Sequence, residues 1–404
     1  MGRICFSFQD VQQDAPSHTL RTPGTRPGHG EDEVNSNWLK CLAVFACAAT
    51  GLAHADILIG QTADFSGPVA AGVKETAAGA RLYLDHVNAN GGINGEPVKL
   101  LSMDDKFEPA NAAANARELI TNKKVLALLL TRGTPHNQAI VPLLAEFGVP
   151  LVAPSTGAMS LHKPVNPWVF NVRASYQHEA NRAIRHLSLV GLGHIGIVQV
   201  NDSFGSDAVK GALEAFTQVN GAPLFTETYD REKPDFAKIQ AVVTAKSPQA
   251  ILFLGSGSAV VDGVKAIRAA GSHAQIVTLS NNASDGFVKA MGDNAAGTIV
   301  TQVFPYERSL ANPMVKQARE YAKAATGDDR VTPAMLEGFA GAKVLVEGLR
   351  RAGRQPTREK LRDALESLHR FDIGGLEVSF SPTSHSGLDY TDLSIIASDG
   401  KFQR

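Results

Sequence analysis

The chain has 404 residues, which is too long for one ordinary hydrophobic core, so two domains are expected. Hydrophobic residues make up 44% and charged residues 20%, the composition of an ordinary globular protein. The 39 basic residues balance the 40 acidic ones, and this balance excludes an electrostatic footprint for nucleic acid or for an anionic membrane surface.

The first 55 residues differ from the rest of the chain. They contain all three cysteines, so the remainder offers no disulfide, zinc-thiolate site or cysteine nucleophile. The apolar run Cys41–Leu52 follows Lys40 and precedes Ala53–Ala55. This pattern predicts a secretory signal peptide at 38–55, cleaved after Ala55. A short buried helix and a lipoprotein anchor at Cys47 are the alternatives.

Residues 1–37 are rich in proline, glycine, histidine and charge, and they show no periodicity. We expect them to be disordered and without function. Translation that begins at Val34 would remove most of them and would leave a signal peptide of ordinary length.

The rest of the chain opens with a predicted β-α-β unit. Apolar runs indicate its strands, and a 3.6-residue spacing of apolar residues indicates its helix. Glycines then break the helix. In order, its parts are the strand Asp56–Gly60, the turn Thr62–Pro68, a helix with Ala80, Leu84 and Val87 on its buried face, the break Asn88–Gly95, the strand Val98–Met103 and the pair Asp104 and Asp105.

Helices and short apolar strands alternate after this unit, which predicts parallel, doubly wound sheets. The predicted strands are Val125–Leu130, Pro150–Ala153, Trp168–Phe170, Ile195–Val200, Leu224–Tyr229, Ile251–Leu254, Ile276–Leu279, Thr298–Phe304, Leu376–Phe380 and Leu393–Ala397. Predicted helices include Pro109–Lys123, His136–Phe147, His178–Leu189, Ser206–Val219 and Asp235–Lys246, and further helices dominate Pro313–His369. The series restarts near residue 175, which indicates two Rossmann-like lobes.

Three features of the opening unit resemble the leucine/isoleucine/valine-binding family of type I periplasmic binding proteins. They are the Ser66-Gly67-Pro68 turn, the run Asn88-x-x-Gly-Gly-Ile-x-Gly and the acidic pair after the second strand. The resemblance extends over roughly Asp56 to Ala397. It implies an α/β fold of two lobes joined by a three-segment hinge, with lobe 1 at 56–175 and 304–381 and lobe 2 at 176–303 and 382–404.

Candidate binding residues follow the strands, because ligands of open parallel sheets bind beyond the carboxyl ends of the strands. Small hydroxyl, amide and glycine residues follow six of these strands, several of them at the start of the next helix. The free backbone N–H groups and the helix dipole at a helix start attract a carboxylate. Ordinary helix caps and turns use the same residue types, which is the alternative for any single loop. The candidates are Asp64, Ser66, Arg132, Thr134, Ser155, Thr156, Gly157, Asp202, Phe204, Ser256, Ser280 and Asn281.

The resemblance assigns roles to several of these residues. Thr134 and the run Ser155–Gly157 match positions that hold an amino acid's carboxylate in the family, and Phe204 matches an aromatic residue that covers the ligand. Ser256 stands where another aromatic residue is common. Arg132 is a candidate for a charge-assisted bond to the carboxylate, and a solvated loop arginine is its alternative.

Ser280 stands near the position of the acidic residue that holds the ligand's α-ammonium in amino-acid binders. A buried ammonium without a counter-charge is strongly unfavourable. An amino-acid ligand therefore needs a substitute among Asp64, Asp202 and Asp285. Otherwise, the ligand is an aromatic or aliphatic acid without an amine.

Enzyme motifs are not found. The Gly255–Ser258 run lacks the third glycine of a dinucleotide fingerprint, and the sequence contains no P-loop. His178, His186 and His194 lack the spacing of a helical zinc site. We therefore expect no enzyme activity, no cofactor and no metal.

These observations predict a periplasmic binding component that captures a small carboxylate ligand by hinge closure. The resemblance implies an inner-membrane ABC permease and its ATPase subunits as partners. A periplasmic sensor with the same fold, signalling to a receptor or regulator, is the alternative.

Overall fold

The structure, a computed structural model, describes residues 56–404, and the predicted signal peptide lies outside these residues. Fourteen strands occur in the described part of the chain. They are β1 Ile57–Ala63, β2 Val98–Asp104, β3 Ala127–Leu129, β4 Leu151–Val152, β5 Val169–Phe170, β6 Ile195–Val200, β7 Phe225–Tyr229, β8 Ala250–Leu254, β9 Gln275–Thr278, β10 Ile299–Gln302, β11 Phe371–Asp372, β12 Glu377–Val378, β13 Asp392–Ile396 and β14 Phe402–Gln403.

Eleven α-helices lie between these strands or after them in the described residues. They are α1 Ala70–Ala89, α2 Pro109–Thr121, α3 Thr134–Phe147, α4 Tyr176–Leu189, α5 Ser203–Gln218, α6 Ala237–Lys246, α7 Ser258–Ala269, α8 Asp285–Met291, α9 Pro313–Thr326, α10 Pro333–Ala352 and α11 Arg358–Glu366. Among these described helices, none combines the length and apolar character needed to cross a membrane.

Lobe 1 is built on a parallel five-stranded sheet in the order β2-β1-β3-β4-β5. One face packs on α1, α9 and α10, and the other packs on α2 and α3. Helices α1 and α10 touch so closely that a Cβ atom on Gly79 would lie 1.9 Å from the backbone oxygen of Met335. A Cβ atom on Gly338 would likewise lie 1.8 Å from the backbone oxygen of Thr76, so both contacts require glycine.

Lobe 2 is built on a seven-stranded sheet in the order β14-β13-β10-β9-β8-β6-β7. Strands β6 to β10 are parallel, whereas β13 runs antiparallel to β10, and β14 runs antiparallel to β13. Helices α4 to α8 contribute to a single core around this sheet. The α/β fold of two parallel-sheet lobes predicted from the sequence is confirmed, with an antiparallel edge in lobe 2.

The chain passes between the lobes three times. The first crossing is at Arg173–Tyr176, because Ala174 packs in the core of lobe 1 and Tyr176 in that of lobe 2. The second crossing follows β10. Leu388 still packs with lobe 1, so we propose that the third crossing lies between Leu388 and Asp392, beyond the expected boundary at residue 381.

One local prediction was only partly right, and one helix was missed. The run Leu376–Phe380 was expected to be a strand, but only β12 forms there, and it pairs with β11 in a separate hairpin outside both large sheets. Helix α8 was not predicted, because seven residues show too little periodicity. It is marked by Ser284, whose hydroxyl caps it by accepting a hydrogen bond from the backbone of Phe287 at 3.1 Å.

Candidate ligand-binding cleft

The loops that follow β1, β3 and β4 in lobe 1 face the loops that follow β6, β8 and β9 in lobe 2. Backbone contacts close this cleft, since the N–H of Ser258 donates to the carbonyl oxygen of Pro68 at 3.2 Å. A Cβ atom on Gly257 would lie 2.1 Å from the same oxygen, and φ is +56° at this glycine. Only glycine allows the loop after β8 to approach lobe 1 so closely.

Arg132 lies in the middle of the cleft and is only 5% exposed. Its Nη1 donates to the hydroxyl of Ser155 at 2.9 Å, and its Nη2 donates to the backbone oxygen of Asn281 at 2.7 Å. No carboxylate among residues 56–404 lies within ion-pair distance of this guanidinium. Because a guanidinium has five N–H donors, three remain for another partner. A buried cation without a counter-charge favours the binding of an anion.

Thr134 and Thr156 are buried beside Arg132. Thr134 is the first residue of α3, and its Oγ1 lies 2.8 Å from Oγ1 of Thr156. Gly157 packs against the segment of the first crossing. Its carbonyl oxygen accepts the N–H of Tyr176 at 2.7 Å, and a Cβ atom there would lie 2.7 Å from the oxygen of Ala174.

Phe204 lies at the start of α5 and is 3% exposed. Its ring meets Tyr176 edge to face, with the ring centroids 4.7 Å apart. The guanidinium of Arg173 lies 4.8 Å from the centre of the Tyr176 ring. Sequence reasoning placed Tyr176 in the crossing segment but gave no sign that its ring would pack against Phe204.

The acidic candidates are engaged in local structure. Asp64 closes the turn after β1, because its carboxylate accepts the backbone N–H groups of Ser66 at 3.2 Å and Val69 at 2.8 Å. Asp202 caps α5 by accepting the N–H of Phe204 at 2.8 Å, and it also forms an ion pair with Arg231. Both carboxylates therefore already bond to groups of their own lobes.

Ser66 and Asp285 do not join the group around Arg132. Ser66 is exposed, and its hydroxyl donates to Asp104 at 2.6 Å. Asp285 is exposed at the start of α8, where its backbone N–H donates to Glu75 at 3.1 Å.

The loops after β8 and β9 bring Ser256, Ser280 and Asn281 together. Asn281 Nδ2 donates to the hydroxyl of Ser256 at 2.8 Å, whereas its Oδ1 is buried without a hydrogen-bond partner among the described residues. The hydroxyl of Ser280 accepts a hydrogen bond from Arg173 at 2.6 Å. Ser280 therefore belongs to an ion network at the first crossing.

That network was missed by sequence reasoning. Arg173 of lobe 1 pairs with Glu179 of lobe 2, and its Nη1 lies 3.5 Å from Oε1 of Glu337 on α10. Glu179 also accepts the N–H of Ser280 at 2.9 Å and the hydroxyl of Thr301. Burial opposes the charge on Arg173, but the two carboxylates outweigh it and raise the pKa of Arg173. No local sequence signal relates Arg173 to a residue 164 positions away.

A small cavity of about 100 Å³ lies between the lobes next to Asn281. Pro68 and Val69 of lobe 1 and Val261 and Phe287 of lobe 2 contribute to its mostly apolar wall. Asn281 borders this cavity and also accepts a hydrogen bond from Arg132. The guanidinium of Arg132 and the apolar cavity therefore both adjoin the same residue.

Comparison with known proteins gives consistent matches over nearly all the described residues. The sequence profile of the family described as "Periplasmic binding protein" matches residues 56–396. The "Leu/Ile/Val-binding protein homolog 6" of Brucella melitensis is 27% identical over 361 residues, which cover 86% of this chain and 89% of the relative.

Two solved structures are also similar. A substrate-binding periplasmic protein from Ralstonia solanacearum is 32% identical. The match covers 86% of this chain and 99% of the Ralstonia chain, and the two structures superpose with a TM-score of 0.79. A possible leucine/isoleucine/valine-binding protein from Rhodopirellula baltica is 26% identical. The match covers 88% of this chain and 98% of the other, with a TM-score of 0.82.

Proposed function

Because this chain belongs to the periplasmic binding protein family, we propose that it captures a small carboxylate-bearing ligand between its lobes for an ABC importer. The chain is a binding protein of the branched-chain amino acid transporter type, and the resemblance predicted from its opening β-α-β unit is confirmed. What we propose is the class of ligand, the residues that bind it and the association with an importer.

The observation that carries the proposal is the buried Arg132, whose guanidinium has no carboxylate partner among residues 56–404. A carboxylate placed on its free N–H groups gains charge-assisted hydrogen bonds, and these are about twice as strong as neutral ones. Thr134 and Thr156 lie beside it, and because their hydroxyls bond to each other, the pair offers one further O–H donor. A dissociation constant in the micromolar range requires only about −8 kcal/mol, which a few such bonds and one buried apolar group supply.

The cavity beside Asn281 fits the apolar part of such a ligand. Its walls come from both lobes, so a group that fills it contacts both and favours the closed state. A ligand that combines one carboxylate with a compact apolar body therefore matches the cleft best.

We further propose that the protein acts in the periplasm, after removal of residues 1–55, and that a permease and ATPase subunits in the inner membrane are its partners. Deletion of the gene should then abolish uptake of the bound compound, and the gene in trans should restore it. Normal uptake in the deletion strain would contradict the transport role.

Thermal shift of the refolded, ligand-free protein tests the ligand class with matched pairs. We would compare 4-methylpentanoate with 4-methylpentanamide, benzoate with benzamide, and leucine with leucinamide. A ligand at a hundredfold its dissociation constant adds about 2.7 kcal/mol, which is a readable shift. At least one acid should raise the melting temperature while its amide does not.

Binding of amides alone, or of none of the six compounds, would contradict the proposed carboxylate class. The comparison of leucine with 4-methylpentanoate also decides between the two ligand types that the sequence left open. These compounds differ in the α-ammonium group, which needs a free acceptor in the cleft.

A further inference from the structure

We infer that Glu75 and Asp207 are positioning residues that hold the cleft closed: Glu75 accepts two backbone N–H groups from the opposite lobe, and Asp207 accepts one. Glu75 belongs to lobe 1 and Asp207 to lobe 2, so the two contacts are reciprocal. This role goes beyond ligand capture, because it concerns the equilibrium between open and closed lobes whatever compound is bound.

The first contact joins α1 to the start of α8. Oε2 of Glu75 accepts the N–H of Asp285 at 3.1 Å, and Oε1 accepts the N–H of Gly286 at 2.8 Å. A Cβ atom on Gly286 would lie 2.4 Å from Cβ of Ala71, so the backbone approaches α1 only because residue 286 is glycine. The close approach places both N–H groups within reach of one carboxylate.

The second contact joins α5 to the turn after β4. Oδ2 of Asp207 accepts the N–H of Met159 at 3.2 Å, and Oδ1 accepts Nε2 of Gln177 at 2.8 Å. Gln177 lies on α4 directly after the first crossing. Asp207 therefore connects lobe 1, lobe 2 and the hinge through a single carboxylate.

The two contacts lie on either side of the bond between Arg132 and Asn281. Helix α1 follows β1, Arg132 follows β3 and Met159 follows β4, and β3 lies between β1 and β4 in the sheet. The closed cleft is thus held at its centre by Arg132 and at two flanking positions by carboxylates. When the lobes part, all three sets of bonds break together.

Burial of the Glu75 and Asp207 carboxylates limits how much their hydrogen bonds stabilise the closed state. Burial raises the pKa of Glu75 and of Asp207, and the hydrogen bonds that each accepts offset only part of this effect. Ionised carboxylates at these positions lose hydration as they gain N–H donors. The net gain is modest, as a closure that must reverse in every transport cycle requires.

Electron spin resonance of the full chain, secreted and processed by its host, measures this equilibrium directly. All three native cysteines lie in the first 55 residues, so the processed protein carries spin labels only at introduced cysteines. Ala114→Cys on α2 and Ala269→Cys on α7 give one exposed label on each lobe. The distance distribution between the labels reports the open and closed populations without any added ligand.

Glu75→Ala and Asp207→Ala should each lower the ratio of closed to open molecules by roughly tenfold, the effect of one or two lost hydrogen bonds. Asp85→Ala on α1 and Glu214→Ala on α5 are matched controls, since both carboxylates are exposed. They should leave the distribution unchanged. The melting temperatures of all four variants should agree with that of the parent, which separates a positioning role from a structural one.

Asp207→Asn keeps an oxygen acceptor for the N–H of Met159 but loses the one for Gln177, and Glu75→Gln keeps one acceptor of its two. Both variants should therefore lie between the parent and the alanine variants. These two variants also replace the alanine variants if the latter fold poorly. Distance distributions that coincide for the parent, Glu75→Ala and Asp207→Ala would overturn the inference. The inference would also be overturned if Asp85→Ala and Glu214→Ala opened the cleft as much as Glu75→Ala and Asp207→Ala.

Discussion

Arg132 and Asn281 form a hydrogen bond between the lobes, from Nη2 to the backbone oxygen at 2.7 Å. The donor belongs to the same guanidinium that lacks a carboxylate partner among the described residues. A ligand anion on Arg132 would therefore be bound by a side chain that already spans the cleft, which couples ligand capture to closure.

Arg132→Gln should weaken binding of the carboxylate found in the screen by about 10²-fold or more, because it removes a charge-assisted contact. Arg132→Lys should recover part of the loss, since the charge remains but the planar fork does not. Isothermal titration gives both constants. Arg182→Gln changes an exposed arginine of α4 and serves as the control. Unchanged affinity in Arg132→Gln would remove Arg132 from the site.

Thr134→Val should weaken carboxylate binding roughly tenfold, because it removes one hydroxyl from the pair with Thr156 and nearly preserves shape. The exposed Thr244→Val on α6 is its control. Affinity measurements on both variants check this, and equal affinities would contradict the role of Thr134.

Phe204→Ala is expected from the sequence to weaken binding without unfolding the protein. The structure places Phe204 in the core of lobe 2, packed against Tyr176. Truncation should therefore also lower the free energy of unfolding by about 3–5 kcal/mol. Urea denaturation measures this loss, and Phe204→Leu should reduce it to about 1 kcal/mol. Stability equal to that of the parent would show that Phe204 is not a core residue.

Arg173→Met should destabilise the protein by about 3–5 kcal/mol, because Glu179 and Glu337 remain as buried carboxylates without their shared cation. The triple variant Arg173→Met/Glu179→Gln/Glu337→Gln should recover much of the loss, since no uncompensated charge is left. Urea denaturation at neutral pH compares the two. Equal stability of the single and triple variants would contradict a role for charge in this network.

Asp105 provides a test by pH. Burial raises its pKa to about 7, and nearby Asp64 and Asp104 contribute to the rise. In the unfolded chain the pKa is about 3.9, so between these values the folded protein holds a proton that the unfolded chain has lost. The free energy of unfolding should therefore fall as the pH rises from about 4 to 7.

Asp105→Asn should remove this contribution. Its advantage over the parent should grow by roughly 2–4 kcal/mol between pH 4.5 and 8, because asparagine stays neutral and still accepts the N–H of Phe107. Urea denaturation across that pH range gives the difference. A constant difference between variant and parent would show that Asp105 titrates as an ordinary carboxyl.

The fold was largely predictable because its signals are local. Apolar runs such as Ile195–Val200 and cap residues such as Ser175 mark strands and helix starts within a few residues. The return of α10 to lobe 1 has no such signal. That return depends on close packing at Gly79 and Gly338, which lie more than 250 residues apart in the sequence. Only the family resemblance predicted it.

The cleft was predictable only in outline. Strand ends predicted that the loops carrying Arg132, Thr134 and Asn281 would lie at the same edge of the sheets, because parallel topology fixes where these loops gather. The partners of each side chain were not predictable. That Asp202 would pair with Arg231, and that Ser280 would join the network of Arg173, depends on distances between loops of different elements.

The most direct test of the account is a crystal structure of the protein purified under native conditions with its own ligand retained. We predict an anionic oxygen of the ligand within about 2.7–3.0 Å of a guanidinium nitrogen of Arg132, with its apolar part toward Val261 and Phe287. A ligand that places no anionic group on Arg132, or that binds outside the cleft, would contradict the account.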